Sequence, residues 1–451
     1  LQSEKNAAMV KEKIEKLADN SPFVFFRGAA ALFDFNMMCS DKEYRRKILN
    51  VPRVISNGDC HPENFGVMVQ ANGKFVWGVN DFDQSFNSPF TWDLKRGATG
   101  FMLACLDKHL SSDFCKSSVE NFVRSYLKVF ESKDRCIVSN QERFMEDSEL
   151  MDSEDNQIIQ KLFEEARNMN SKKKTKKWLK KEGVDTDKNK FFETDEVFPL
   201  SDAEIAEFQE SLLAYLYHGV SALVKFPYLP AEANEGFWKI LSVATKEKSG
   251  TGSIGLNRFL LLLQGRDEEY GRVILEMKAE SKSVLEDYFR YHVSEDQEAK
   301  RAVEAETAAW PYTNIFYGWT RYKNKPYIVR EKSKHETSAE VSDMSEKQFY
   351  FYSGNGGRAL ALYHVRARCA NAECNVNEMA YVDVETCEDV QEYLQNFAIN
   401  NQDSSAFETM IVQFAMEETE RQIEAWSLLK SWTKKQRASG GNVLAFLTGG
   451  L

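Results

Sequence analysis

Two short apolar runs constrain this 451-residue chain more than any other feature. Phe65–Val69 and Phe75–Val79 are rich in β-prone residues, and Gln70-Ala71-Asn72-Gly73-Lys74 separates them. Asn-Gly is the strongest short hairpin signal, because both residues tolerate the positive φ of a tight turn. A hairpin returns the chain to where it started, so residues before its first strand meet residues after its second. Both flanks carry chemistry. Asn57-Gly58-Asp59-Cys60-His61-Pro62-Glu63-Asn64 leads in, and Asn80-Asp81-Phe82-Asp83 leads out. A hairpin here folds Asp81 back beside Asn64.

An Asp, an Asn shortly after it and an Asp at the hairpin exit form a pattern for metal-assisted phosphoryl transfer. Asp59 would accept the proton of an attacking hydroxyl, or orient it. The Asn64 amide oxygen and the Asp81 carboxylate would hold a divalent cation, with Asp83 as a candidate second carboxylate ligand. Hard oxygen donors suit Mg²⁺ or Mn²⁺ rather than zinc. The plain alternative is a set of acidic turn residues capping a hairpin.

A second signal lies in the other half of the chain. Gly250-Thr251-Gly252-Ser253-Ile254-Gly255 stands between an expected strand at 241–245 and the apolar run Arg258–Leu263. A further β-prone run, 272–278, ends at Lys278. In a dinucleotide-binding fold a helix would open directly after the glycines. Here a strand follows, which suits a glycine-rich hairpin whose N–H groups cover phosphates, with Lys278 reaching the α- and β-phosphates. Glu304 and Glu306, on the next expected helix, are candidates to hold that lysine, and Glu304 is preferred. A plain glycine turn and a surface lysine are the competing reading.

These parts stand in an unusual order, since kinases run from glycine loop and lysine to catalytic Asp and metal Asp. Read circularly, the usual order returns. The expected fold is therefore α+β, a two-lobed protein-kinase-like fold that is circularly permuted, with extra helices. Residues 1–240 would form a helical part carrying the hairpin, with a charged insertion at 140–200. Residues 241–335 would form the β-rich nucleotide-binding part, and 336–451 a helical part completing the larger lobe. Permutation is tolerated where chain ends lie close together at a surface.

Elsewhere the pattern is mostly helical. Residues 1–50, 92–135, 281–309, 357–370 and 405–434 read as helix, and a second hairpin is expected about Lys323-Asn324-Lys325. Ser201 with Glu204 three residues on is a capping box opening a helix over 201–226. Lys172, Lys173, Lys174, Lys176, Lys177, Lys180 and Lys181 form a basic run, read as a solvated helix face or mobile insertion, or as a phosphate- or partner-binding loop. The net charge is -11, which argues against a general binder of nucleic acid or anionic membrane. No apolar run is long enough to span a bilayer. The eight cysteines form no CxxC, Cys369 and Cys374 being the closest pair, and are read as reduced. The six histidines show no zinc-ligand spacing with cysteine.

Several segments together resemble the bacterial domain-of-unknown-function family 2252, placed in the protein-kinase-like, aminoglycoside-phosphotransferase-like superfamily. They are Ser21–Gly28 (SPFVFFRG), Gly58–Gly66, Asn80–Asp83, Pro89–Arg96, the Gly250–Gly255 loop with Lys278-Ala279, Arg301–Glu304 and Tyr327–Arg330. The resemblance spans most of the chain and implies a phosphotransferase-like active site, with no substrate attached to it. It further implies that Asp93 and Arg96 are scaffold residues, Asp93 tying the catalytic loop to a helix. Where the family often has Gly-Gln after the lysine, this chain has Ala305-Glu306. Arg27 is a candidate for binding an anion or for a structural ion pair, and Arg330 for substrate contact or scaffold. His61 is a candidate assistant to Asp59 or a hydrogen-bonded loop histidine.

The functional expectation is an ATP-dependent, Mg²⁺-assisted phosphotransferase acting on a hydroxyl acceptor, a small molecule in preference to a generic protein. Transfer of AMP to protein hydroxyls on the same scaffold, and a nucleotide-binding pseudokinase or interaction module, are the alternatives. The expected partners are a nucleotide and an acceptor, with no nucleic acid. A cytoplasmic location is expected, with export left open because the first residue is Leu.

Overall fold

The structure is a computed structural model that describes residues 2–39, 51–131, 145–146, 154–215, 236–247, 256–265, 271–288, 294, 297–310, 314, 316–373 and 387–438. The expected glycine loop 250–255, Cys374 and the far end of the helix expected over 201–226 lie outside these residues. The described chain is α+β, and its strand pairs are all antiparallel.

Helices α1 (Gln2–Asp19), α2 (Pro22–Gly28) and α3 (Ala30–Cys39) open the chain. Ser21 caps α2 by accepting the Val24 N–H, and Pro22 occupies the first turn, where no N–H is needed. Strand β1 (Arg53–Ser56) then pairs with β4 (Phe86–Pro89). Between them, β2 (Phe65–Val69) and β3 (Phe75–Val79) form the expected hairpin, with Phe65 opposite Val79 and Gly73 at φ 79° in the turn. Short strands β5 (Met145–Glu146) and β14 (Thr337–Ser338) flank it in the order β14-β2-β3-β5.

A helical body surrounds the hairpin. It includes α4 (Thr91–Asp107), α5 (Ser112–Glu131), α6 (Gln157–Arg167), α10 (Glu346–Glu373), α11 (Cys387–Asn401) and α12 (Ala406–Ala438). Its apolar core runs from Phe23 to Ala415, so residues from both ends of the chain fill one interior. The first and last described helices meet at the surface, where Arg437 pairs with Asp19 at 2.8 Å.

The second unit is a six-stranded sheet in the order β12-β13-β11-β10-β9-β8. Its strands are β8 (Val197–Pro199), β9 (Ile240–Lys246), β10 (Arg258–Leu263), β11 (Val273–Ala279), β12 (Gly318–Tyr322) and β13 (Lys325–Glu331). β10 is almost uniformly apolar because both of its faces are covered. Phe259, Leu261 and Leu263 pack toward α8 (Asp202–Ala214), whereas Leu260 and Leu262 pack toward α7 (Lys172–Lys181). The small hairpin β6 (Val184–Asp185) and β7 (Lys190–Phe191) adjoins α7. The capping box at Ser201 and Glu204 forms as expected. The β12–β13 turn has Lys323 and Asn324 both at positive φ, the two-residue hairpin type the sequence signals. The charged segment 140–200 therefore supplies packed elements, including a sheet strand, while its lysines stay exposed.

Two expectations are corrected. The helix expected over 281–309 begins only at α9 (Glu298–Ala309). Before it, Ser283 donates to the Gln84 carbonyl and the Val284 N–H donates to the Gln84 side chain, which commits this stretch to a 3-10 turn, Val284–Asp287. The cysteines are not all reduced, because Cys105 and Cys115 form a disulfide. The left-handed His109 turns the chain between α4 and α5, and the two Cα atoms come within 5.5 Å. Cys60 is free and buried. Among the described residues no helix is long and apolar enough to cross a membrane.

The Cys105–Cys115 bond closes a short loop, a sequence separation of 10. Changing both cysteines to Ser should lower the unfolding free energy by about 3 kcal/mol in urea melts. An unchanged midpoint, or two reactive thiols in the denatured unreduced protein at these positions, would count against the bond.

Candidate active site

The segment 57–64 is fixed through its backbone. Asp93, in the first turn of α4, accepts the N–H of Asn57 at 2.6 Å and of Gly58 at 2.9 Å. His364 of α10 meets Asp93 through Nε2 at 3.1 Å, and its Nδ1 meets the Tyr126 hydroxyl of α5 at 2.8 Å. Nε2–H donating to the Asp93 carboxylate satisfies that contact, and the Tyr126 hydroxyl can meet Nδ1 as donor or acceptor. Three helices thus converge on one loop. Gly58 is at φ 80°, and a Cβ there would lie 2.1 Å from the Gln84 carbonyl oxygen, so only glycine fits.

Asp59 is held from below by Arg96, whose Nε and Nη2 approach Oδ1 at 2.8 and 2.5 Å. Arg96 is fully buried and lies over the Phe26 and Phe33 rings at 4.3 and 5.2 Å. Burial pushes the Asp59 carboxyl up, and the opposing pull of Arg96 does not cancel it. His61 accepts the Glu63 N–H on Nδ1 at 3.2 Å, which leaves Nε2 4.0 Å from Asp59. Burial, helped by Arg27 and Arg96, holds this imidazole well below its ordinary range, so it is neutral. Arg27 pairs with Glu63 and lies against Phe23.

At the hairpin base the Asn80 N–H donates to the Asn64 carbonyl, which brings the two flanks together. The Asn64 amide nitrogen donates to the Asp59 carbonyl at 2.8 Å, and its oxygen side is left for another partner. Asp81 is exposed and left-handed at φ 64°, held by Asn57 donating to its carbonyl at 2.6 Å. A non-glycine residue in that region stores strain of the kind found at functional sites.

Lys278, nearly buried on β11, pairs with Asp83 rather than with Glu304. Glu304 instead meets Lys300 one turn away at 3.5 Å. The lysine's carboxylate therefore comes from the first half of the chain. Arg301 of α9 reinforces the junction, donating to the Asp83 carbonyl at 2.8 Å and to Ser85. Glu280 is buried just beyond β11, with Oε2 lacking a hydrogen-bond partner. Burial raises its carboxyl to about 7, although Lys278 and Arg301 pull the other way.

A cavity of about 380 Å³ opens between the hairpin and the sheet, lined by Asn64, Asp81, Glu306, Tyr317, Arg330 and Glu336 among others. Burial raises Glu306 to about 7 despite its bond with Tyr317. Arg330 donates twice to Glu276 at 2.9 Å, and Arg258 approaches the same carboxylate at 3.0 Å. Burial opposes charge on Glu276, yet Arg330, Arg258 and Lys332 outweigh it and hold the group well below the usual carboxylate range.

The structure thus brings together Asp59, Asn64, Asp81, Asp83, Lys278, Arg96 and Arg330. It pairs Lys278 with Asp83 and Glu304 with Lys300, and the glycine loop is outside the described residues. Sequence reading assigned no role to Tyr126, His364, Glu280 or Arg301. Arg301 and His364 stand in segments that resemble kinase-like parts, Arg301–Glu304 and Leu360–His364, and that resemblance is the signal that could have pointed to them.

These features define an α+β protein with an acid-lined crevice between an antiparallel sheet and a helical body. The chain belongs to the family described as uncharacterised proteins conserved in bacteria, domain of unknown function 2252, whose signature matches residues 5–431. No curated protein and no solved structure matches it.

Glu280 sets a pH dependence. Its folded value of about 7 lies above the ordinary 4.5, so its contribution is whole below about 4.5 and is lost as pH rises through about 7. Glu280→Gln should match the wild type in acid and be more stable above neutrality by on the order of 3 kcal/mol. Parallel stability–pH curves for the two proteins would refute this.

Proposed function

We propose that this protein is an ATP-dependent, Mg²⁺-assisted phosphotransferase acting on the hydroxyl of a small-molecule acceptor, on a permuted kinase-like scaffold. The observation that carries the reading is the Lys278–Asp83 ion pair, which joins the lysine strand to the acidic hairpin exit. Supporting it, β9, β10 and the lysine strand β11 are followed by α9 and then by β12 and β13, and these five strands share one sheet. That is the succession of parts expected of a kinase nucleotide lobe. The Arg437–Asp19 contact supports the permuted order, because the outermost described helices are neighbours.

The donors fit a hard cation. Asn64 offers an amide oxygen and Asp81 a carboxylate on the cavity wall, whereas Asp83 is engaged by Lys278. Among the described residues no three His, Cys, Asp or Glu side chains form a metal cage. Two protein oxygens completed by water and phosphate is the usual arrangement for Mg²⁺. When bound, the cation would neutralise charge on the transferring phosphoryl group.

The side chains then divide the work. Asp59 accepts the acceptor hydroxyl's proton, its burial making the carboxylate a better base. Arg96 fixes the angle of that carboxylate through two donors. The Lys278 ammonium binds nucleotide phosphate. The bond from the γ-phosphorus to the ADP oxygen breaks, and one to the acceptor oxygen forms.

Purified protein should bind ATP in calorimetry with Mg²⁺ present. Asp59→Asn should bind it similarly but lose roughly 10²–10⁴-fold in turnover, whereas Asp81→Ala should lose Mg²⁺-dependent binding as well. Wild-type protein that takes up no nucleotide, or undiminished turnover in both variants, would overturn the proposal. Adenylated product would convert it to AMP transfer.

A further inference from the structure

Helix α7 packs a charge that folding alone would not select. Its sequence is KKKTKKWLKK, and only Thr175 and Leu179 are buried. Lys172, Lys173, Lys174, Lys176, Lys177, Lys180 and Lys181 are all exposed. Lysines spaced four apart repel along the helix, and those in its first turn oppose the helix dipole. Lys176 meets Asp187 at 4.0 Å, an exposed pair of little strength. Lys173, Lys174, Lys177, Lys180 and Lys181 have no carboxylate partner among the described residues. The whole chain nevertheless carries a net charge of -11, so this helix is a locally basic element on an acidic molecule.

The same face continues onto the β6–β7 hairpin. Lys188 and Lys190 are exposed there, paired with Asp185 at 3.7 Å and with Asp202 at 3.4 Å. Phe192 follows, and its N–H donates to the carbonyl of Gly183, just past the end of α7. Phe192 is among the few large apolar side chains left exposed, at 36%. Trp178, the one aromatic residue of α7 itself, packs against the sheet.

We propose that α7 and the β6–β7 hairpin form a docking face for an anionic lipid bilayer. The lysines would adsorb to headgroup phosphates and Phe192 would enter the interface. Clustered lysines beside an exposed aromatic residue are the physical signature of peripheral membrane attachment. Lysine without arginine suits a diffuse anionic sheet better than bidentate reading of a polynucleotide. Attraction acts within about 8 Å at physiological salt, so distant carboxylates are screened, while the nearby Asp187 offsets part of the lysine charge. The proposal is independent of the reaction proposed above.

Full-length protein is mixed with vesicles of roughly one-third phosphatidylglycerol in phosphatidylcholine, and with pure phosphatidylcholine, then sedimented. Binding is expected to the anionic vesicles alone and should be abolished by high salt. Reversing Lys173, Lys176, Lys177 and Lys180 to Glu should weaken it by more than about 100-fold. The milder quadruple change to Gln guards against misfolding and should still weaken it by at least about 10-fold. Phe192→Ala should cost about 5–10-fold. Equal binding to both vesicle types, no binding, or a Gln variant that binds like the wild type would overturn the proposal. So would salt-sensitive binding to duplex DNA without binding to vesicles.

Discussion

The carboxylate of Asp93 governs the geometry of the site. By accepting two successive backbone N–H groups it fixes the path of Asn57 and Gly58, and hence the direction of Asp59. A buried carboxylate bonded to two amides and an imidazole has its lone pairs well used and little freedom to move. The hairpin then carries this order outward, because Asn64 and Asp81 stand at its two feet. Whatever α4, α5 and α10 do as rigid bodies is transmitted to those oxygens through Asp93, His364 and Tyr126.

Much of this was legible in the sequence where local chemistry is decisive. The Asn72-Gly73 turn, the Lys323-Asn324 turn and the Ser201 capping box follow from residues a few positions apart, and each forms. The runs that became β9, β10 and β11 were readable because continuous apolar stretches between turn signals suit strands covered on both faces. The helix start near 281 was misread because Ser283 and Gln84 meet only in three dimensions. Cys105 and Cys115 were overlooked for a related reason, since the turn at His109 makes them neighbours without any motif to announce it.

The site shows the same division. Asp59, Asn64 and Asp81 could be grouped from spacing plus a hairpin. The partner of Lys278 could not, because the next expected helix offers Glu304, and after it Glu306, and says nothing of a carboxylate nearly 200 residues upstream. Asp83 takes that place. His61 and Arg27 each had two open readings. The first is a neutral, hydrogen-bonded loop histidine whose other nitrogen still faces Asp59, and the second is paired with Glu63.

The seat of Arg96 has a consequence for how the protein is made. The guanidinium rests on Phe26 and Phe33, and Phe33 in turn packs edge-on against Phe414 at 6.2 Å. Phe414 belongs to α12, the last described helix. On the ribosome, the arginine that aims Asp59 emerges hundreds of residues before the ring that completes its bed. The helical body therefore cannot mature in order of translation. Its early helices wait, with their aromatic faces uncovered, until α12 is made and delivers the missing wall.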